Sequence, residues 1–175
     1  MVAKEIYRGK TVHLLLEPVA LPNGKTMELE IVRHPGAAAV VPLKEDGKVI
    51  LIYQYRHAAG GYIYEIPAGK RSEGEAPETC AARELEEEIG FRAGTLEKLT
   101  TIFTAPGFCD EQIHLYLGTG LVHCGQQLGE DEVLQVIEMP FEEAMNRIED
   151  QTIRDAKSIV ALGLAYGRAK KRGWI

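Results

Sequence analysis

Residues 69 to 91 constrain this chain more than any other stretch. They read G-KRSEG-E-APETCAA-R-E-L-E-E-E-I-G-F. From Ala76 to Glu88 there is no Gly, and the only Pro, Pro77, stands at the start. Pro is tolerated in a first helical turn, where its missing N–H would be unpaired in any case. Gly90 ends the run, as a Gly just past a helix end does. The pattern predicts a helix of about three to four turns, entered from a Gly-rich loop. Glu84, Glu87 and Glu88 then share one face, because positions three and four apart are neighbours. Ala81, Leu85 and Ile89 form an adjacent apolar stripe for a core, and Glu86 points away from the acidic face.

Neighbouring carboxylates repel, at roughly a few tenths of a kcal/mol per pair. A cation between them removes that penalty, and carboxylate-rich oxygen sites suit hard ions such as Mg²⁺ or Mn²⁺. Arg83 borders the same face and can orient a carboxylate through its fork of N–H donors. Acidic runs on helices are commonly no more than solvated surface. The spacing argues otherwise. Gly69, five residues, Glu75, seven residues, then Arg83-Glu84-Leu85-Glu86-Glu87-Glu88-Ile89-Gly90-Phe91 resembles the Nudix box, G-x5-E-x7-R-E-U-x-E-E-x-G-U, with U a bulky apolar residue. Every fixed position is matched.

The rest of the chain supports a single α/β domain with an appendage. At 175 residues, 45% hydrophobic and 26% charged, it has the balance of an ordinary globular protein. A net charge of −6 argues against a nucleic-acid partner. No apolar run approaches the ~20 residues that span a bilayer, which argues against a membrane partner. Cys80, Cys109 and Cys124 form no CxxC pair, and no signal peptide precedes the first strand pattern, so a cytoplasmic setting is expected. Glu5–Arg8, Thr11–Glu17 and Thr26–Arg33 read as strands, the last two joined through the Asn23-Gly24 turn. They define an N-terminal antiparallel β appendage, residues 1–35, which must pack on the main domain, on a second subunit, or on both. Residues 36–175 form the main domain. Its strands are expected at 37–43, 48–55, 62–67, 95–103, 112–117 and 133–138. Its helices are expected at 76–88, 141–149 and 155–171, the last capped by Asp155 with Ile159, Leu162 and Tyr166 on its buried side. Such an order gives a sheet with helices on both faces.

The Nudix resemblance implies an α/β/α sandwich with a mixed sheet. It also implies Mg²⁺, or Mn²⁺, held against a diphosphate that water attacks. Carried over by position, Glu84 and Glu88 are primary metal ligands, Glu87 is a further ligand, and Ala68 offers its backbone carbonyl. Glu75 orients Arg83 and the loop. Pro106, sixteen residues after Gly90, matches the proline that marks ADP-ribose pyrophosphatases in the family, and Ala105-Pro106-Gly107-Phe108-Cys109-Asp110-Glu111 resembles a loop of bacterial members. Gln54-Tyr55-Arg56, Glu65 to Lys70 and His34 to Ala37 have counterparts there too. A plain turn is the other reading of Pro106-Gly107.

Arg56 ends a strand and presents a fork suited to a phosphate. Glu130 and Glu132 lie in an acidic loop whose plain reading is solvated surface, but the Nudix resemblance implies that glutamates of this loop supply a catalytic base and a further metal ligand. The resemblance favours Glu130 as base and Glu132 as ligand, in exchangeable roles. Tyr7 is a candidate to stack on an adenine and Glu30 to accept from its amino group. Both can come from the partner, since related enzymes are homodimers with exchanged N-terminal strands. Close relatives carry a basic residue where this chain has Leu29, which leaves room for a different nucleotide sugar. His57, His114 and His123 show no ligand spacing, and Trp174 reads as a packing residue.

The expectation is a nucleoside diphosphate sugar hydrolase, with ADP-ribose first and GDP-mannose or another sugar nucleotide second. A non-catalytic ligand sensor is the alternative of a different class. Such modules usually lose box glutamates or add a DNA-binding region, and this chain does neither.

Overall fold

A computed structural model describes residues 2–129 and 133–175 of the chain. Three strands come first: β1 (Lys4–Arg8), β2 (His13–Ala20) and β3 (Thr26–Arg33). They pair in order as an antiparallel sheet, and β2 turns into β3 through Gly24, whose φ is +82°. None of their residues is buried. The sheet is tied to the main body at its end: Val32 N–H donates to Phe108 O at 2.7 Å, and Arg33 joins Glu17 to Asp110.

The main body continues with β4 (Ala37–Pro42), β5 (Lys48–Arg56), a single 3₁₀ turn, β6 (Gly61–Glu65), β7 (Ala68–Lys70) and α1 (Pro77–Ile89). The long strands β8 (Phe91–Phe103) and β9 (Gln112–His123) follow. β10 (Leu134–Pro140), α2 (Phe141–Glu149) and α3 (Ala156–Lys171) complete the chain. The strands form two sheets where one was expected. A mixed sheet runs β7-β4-β9-β8, with β4 and β9 parallel, and an antiparallel sheet runs β10-β5-β6. The expected strand over 62–67 is divided at this point. Pro67 has no N–H for a ladder, and its carbonyl accepts from Val40 of the mixed sheet while β6 stays paired with β5.

Alternation along the central strands makes the sandwich. Ala37, Ala39 and Val41 of β4, with Val49 and Leu51 of β5, join a core with α2 and α3. Ala38, Val40, Ile50 and Ile52 face the other way, onto Cys80, Ala81, Leu85 and Ile89 of α1. Side chains of period two on two-sided buried strands place a helix on each face. Asp155 caps α3 as expected, accepting from Ser158 N–H at 3.0 Å. Trp174 is half-exposed under the Arg172 guanidinium rather than packed inside. Among the described residues no helix is long and apolar enough to cross a membrane.

Candidate active site

α1 and the strand before it build one acidic ridge. Pro77 sits in the first turn, Ala76 enters extended, and Gly90 closes the helix in the left-handed region with φ +73°. Ala81, Leu85 and Ile89 pack into the core, which fixes the rotation of the helix and sets the glutamates. Glu84 and Glu88 are themselves buried, while Glu87 is partly exposed. Glu88 Oε2 accepts from the Ala68 backbone N–H at 2.8 Å.

Gly69 lies directly beneath Glu84. A Cβ built there would fall 2.0 Å from the Glu84 carboxyl carbon, so only Gly lets this carboxylate lie against the strand.

Arg83 organises the ridge. Its Nε donates to Glu75 Oε1 at 2.9 Å, and its Nη1 donates to Glu84 Oε1 at 2.6 Å and Glu87 Oε2 at 2.9 Å. It therefore orients three carboxylates where one was expected, and Glu75 plays the orienting part foreseen for it. Hydrogen bonds from Arg83 and the Ser72 N–H hold the Glu75 carboxyl far down, at about 2, and these bonds keep Arg83 charged. Burial, reinforced by Glu84 and Glu75, pushes the Cys80 thiol up to about 12, so it stays protonated and inert.

The carbonyls at the end of α1 are capped by the chain beyond β9. Cys124 N–H donates to Gly90 O, Gln127 N–H to Glu87 O at 3.0 Å, and Gln126 Nε2 to Glu88 O at 2.6 Å. This close approach explains Gly90 a second time, since a Cβ there would fall 2.7 Å from Gln126 N. The same segment leads towards Glu130 and Glu132, which lie outside the described residues.

The ridge fits a divalent cation by the chemistry of its donors. Glu84 and Glu87 supply hard oxygens, and a cationic Arg83 nitrogen already stands between them. Among the described residues no three His, Cys, Asp or Glu side chains converge as a ready metal cluster. Glu84 and Glu87 are paired with Arg83, and Glu88 with the Ala68 N–H.

Arg56 departs from expectation in its partner. The Nε and Nη2 edge of its fork is taken by Glu65, at 2.7 and 2.9 Å, so the whole fork is not open to a phosphate. Glu65 also accepts from Lys157 Nζ. Sequence reasoning gave Glu65 and Lys157 no role. The available signal was an acidic residue closing the apolar strand Tyr62-Ile63-Tyr64.

Pro106 and Gly107 are exposed in a turn closed by Phe108 and Cys109 N–H onto Ala105 O. That turn meets β3 at Val32, two residues from Glu30. Glu30 and Tyr7 are exposed on the N-terminal sheet. His114 bonds Thr101 Oγ1, and His123 packs edge-on to Phe91, as structural histidines do.

The family profile described as NUDIX domain matches residues 32–162. The chain belongs to the Nudix family. It is 44% identical over 164 residues to an ADP-ribose pyrophosphatase of Bacillus subtilis (strain 168), covering 92% of this chain and 89% of that one. It is 43% identical over 161 residues to a methanol dehydrogenase activator of Bacillus methanolicus, covering 91% and 87%. A crystal structure described as an ADP compounds hydrolase superposes with a TM-score of 0.86 at 24% identity, covering 100% of this chain and 95% of that one, and shows the same fold. The Nudix box of this chain is therefore seen in its fold: Gly69 under the ridge, Arg83 across it, Gly90 closing it.

Proposed function

We propose that this Nudix pyrophosphohydrolase cleaves the diphosphate bond of nucleoside diphosphate sugars, ADP-ribose above all, to give AMP and ribose 5-phosphate. The observation that carries the reading is the buried pair Glu84 and Glu88, set on α1 over Gly69 and Ala68 with every box position intact. Glu84 and Glu88 would hold Mg²⁺, or Mn²⁺ in its place, with Glu87 and the Ala68 carbonyl as further donors. Such an ion neutralises a diphosphate and lowers the pKa of a bound water. Arg83 and Glu75 keep the carboxylates oriented. Glu130 takes the role of base and Glu132 that of ligand, by resemblance. Pro106-Gly107, Arg56, Glu30 and Tyr7 belong to the substrate side.

Residues 1–35 are a separate appendage to the domain 36–175, and a homodimer completes it. A three-stranded sheet with no buried residue, and with Ile6, Tyr7, Val12 and Met27 exposed, lacks a core of its own. Three free cysteines, one of them exposed, fit the cytoplasm.

Turnover of the purified protein on ADP-ribose and on GDP-mannose, with Mg²⁺ and after chelation, tests this. The expected result is Mg²⁺-dependent hydrolysis with ADP-ribose ahead. GDP-mannose hydrolysed as well or better would replace the substrate, and no Mg²⁺-dependent hydrolysis of either would end the enzymatic reading.

A further inference from the structure

Glu65 is the last residue of β6 and only 2% exposed, yet it is charged. Burying a carboxylate is costly unless partners surround it. It has two cationic partners from distant parts of the chain. Arg56, at the end of β5, donates from Nε and Nη2, and Lys157 of α3 donates from Nζ at 2.5 Å. Lys157 is held in turn by Asp155 Oδ2 at 3.0 Å. Asp155 also accepts from Ser158 N–H and Oγ, and Ser158 Oγ accepts from the N–H of Ile66, the neighbour of Glu65. The first turn of α3 thus grips Glu65 and Ile66 by two separate bonds.

We propose that Glu65 and Lys157 are positioning residues that lock Arg56 in place to receive a phosphate of the substrate, an assignment that rests on the hydrolase reading above. Geometry separates this from a plain structural ion pair. Glu65 is sealed off, while the Arg56 side chain is 42% exposed. The bond to Glu65 uses one edge of the guanidinium, and among the described residues Nη1 has no hydrogen bond. Arg56 lies on the α1 face of the sheet, since its strand neighbour Ile52 pairs with Glu65 and packs in the α1 core. Glu88 of the acidic ridge is near enough to stabilise its charge. On the same face, two residues earlier, the buried Gln54 carboxamide has no donor to its Oε1 among the described residues. The sheet surface beside the ridge therefore holds unspent hydrogen-bonding capacity among the described residues, and a fork fixed along one edge loses little freedom when the other edge binds. An apolar trio of similar size would hold α3 against β6 at comparable stability. The charged trio adds a fixed direction for Nη1.

The test is steady-state kinetics on ADP-ribose with Mg²⁺, joined to equilibrium binding of an ADP-ribose analogue carrying a methylene bridge in the diphosphate, which is not hydrolysed. Glu65→Gln is expected to raise KM and the analogue's Kd by about tenfold, the effect of weakening one charge-assisted contact. Lys157→Met is expected to raise both by about threefold and Lys157→Arg to restore them. In all three variants kcat should change less than KM. A merely structural role predicts a lowered Tm with KM and Kd unmoved, and that outcome would overturn the assignment. The two Lys157 variants decide the matter even where Glu65→Gln fails to fold. Wild-type protein that neither binds the analogue nor hydrolyses ADP-ribose would overturn the hydrolase reading along with it. Wild-type binding matched by both Glu65→Gln and Lys157→Met would overturn this proposal alone.

Discussion

β3 and β4 follow one another with only His34, Pro35 and Gly36 between them, yet they obey opposite rules. All six residues of β4 are buried, and Ala37 to Val41 alternate between the α3 core and the α1 core. No residue of β3 is buried, nor any of β1 or β2. The β4 side of the molecule is finished within one chain, so its glutamates stand in fixed places. The β3 side buries nothing of its own, and Tyr7 and Glu30 stand exposed on it. The difference teaches that, on the function proposed above, the chemistry sits on the buried side and the choice of substrate on the exposed one.

Four predictions sharpen that contrast. The largest effect is expected on the finished side. Glu88→Gln should cut kcat on ADP-ribose by roughly 10³-fold, the scale of losing a group that stabilises transition-state charge, with circular dichroism unchanged. Unaltered turnover would remove Glu88 from the metal site. Gly69→Ala should cost about 10²-fold, because its methyl group displaces Glu84 and small misplacements of catalytic groups are expensive. A full-strength Gly69→Ala enzyme would show that the ridge needs no such approach.

On the exposed side, the paired change Tyr7→Ala and Glu30→Ala should raise KM by about tenfold while kcat holds. A fall in kcat alone would place these residues with the chemistry instead. The smallest effect concerns pH. Glu75 is depressed in the folded state to about 2 from an ordinary 4.5. Its contribution is therefore present above its unfolded value and lost as pH falls through the folded one. In metal-free buffer, Tm should decline from pH 4.5 towards pH 2, and Glu75→Gln should flatten part of that slope. Parallel slopes would mean the Arg83–Glu75 pair adds nothing.

What the sequence made legible was local. α1 begins and ends where Pro77 and Gly90 say it must, α2 spans the residues its pattern marks, and Asp155 caps α3, because each signal acts within a turn or two. The joining of distant segments was not legible. β8 begins at Phe91 rather than Thr95 and β9 runs on to His123, since their outer halves are held by pairing across Gly94 and Gly120 rather than by an apolar pattern. The split into two sheets at Ile66-Pro67 is set by which partner each strand meets. The acidic face of α1 was readable from helical spacing, but the Glu65–Lys157 bond spans 92 positions and left no periodic trace.

The most direct measurement is anomalous diffraction from crystals holding Mn²⁺ and the methylene analogue of ADP-ribose. The account predicts a manganese peak within coordination distance of Glu84 and Glu88, beside the analogue's diphosphate. Manganese bound elsewhere, with Glu84 and Glu87 still closed on Arg83 and Glu88 still on the Ala68 N–H, would contradict it.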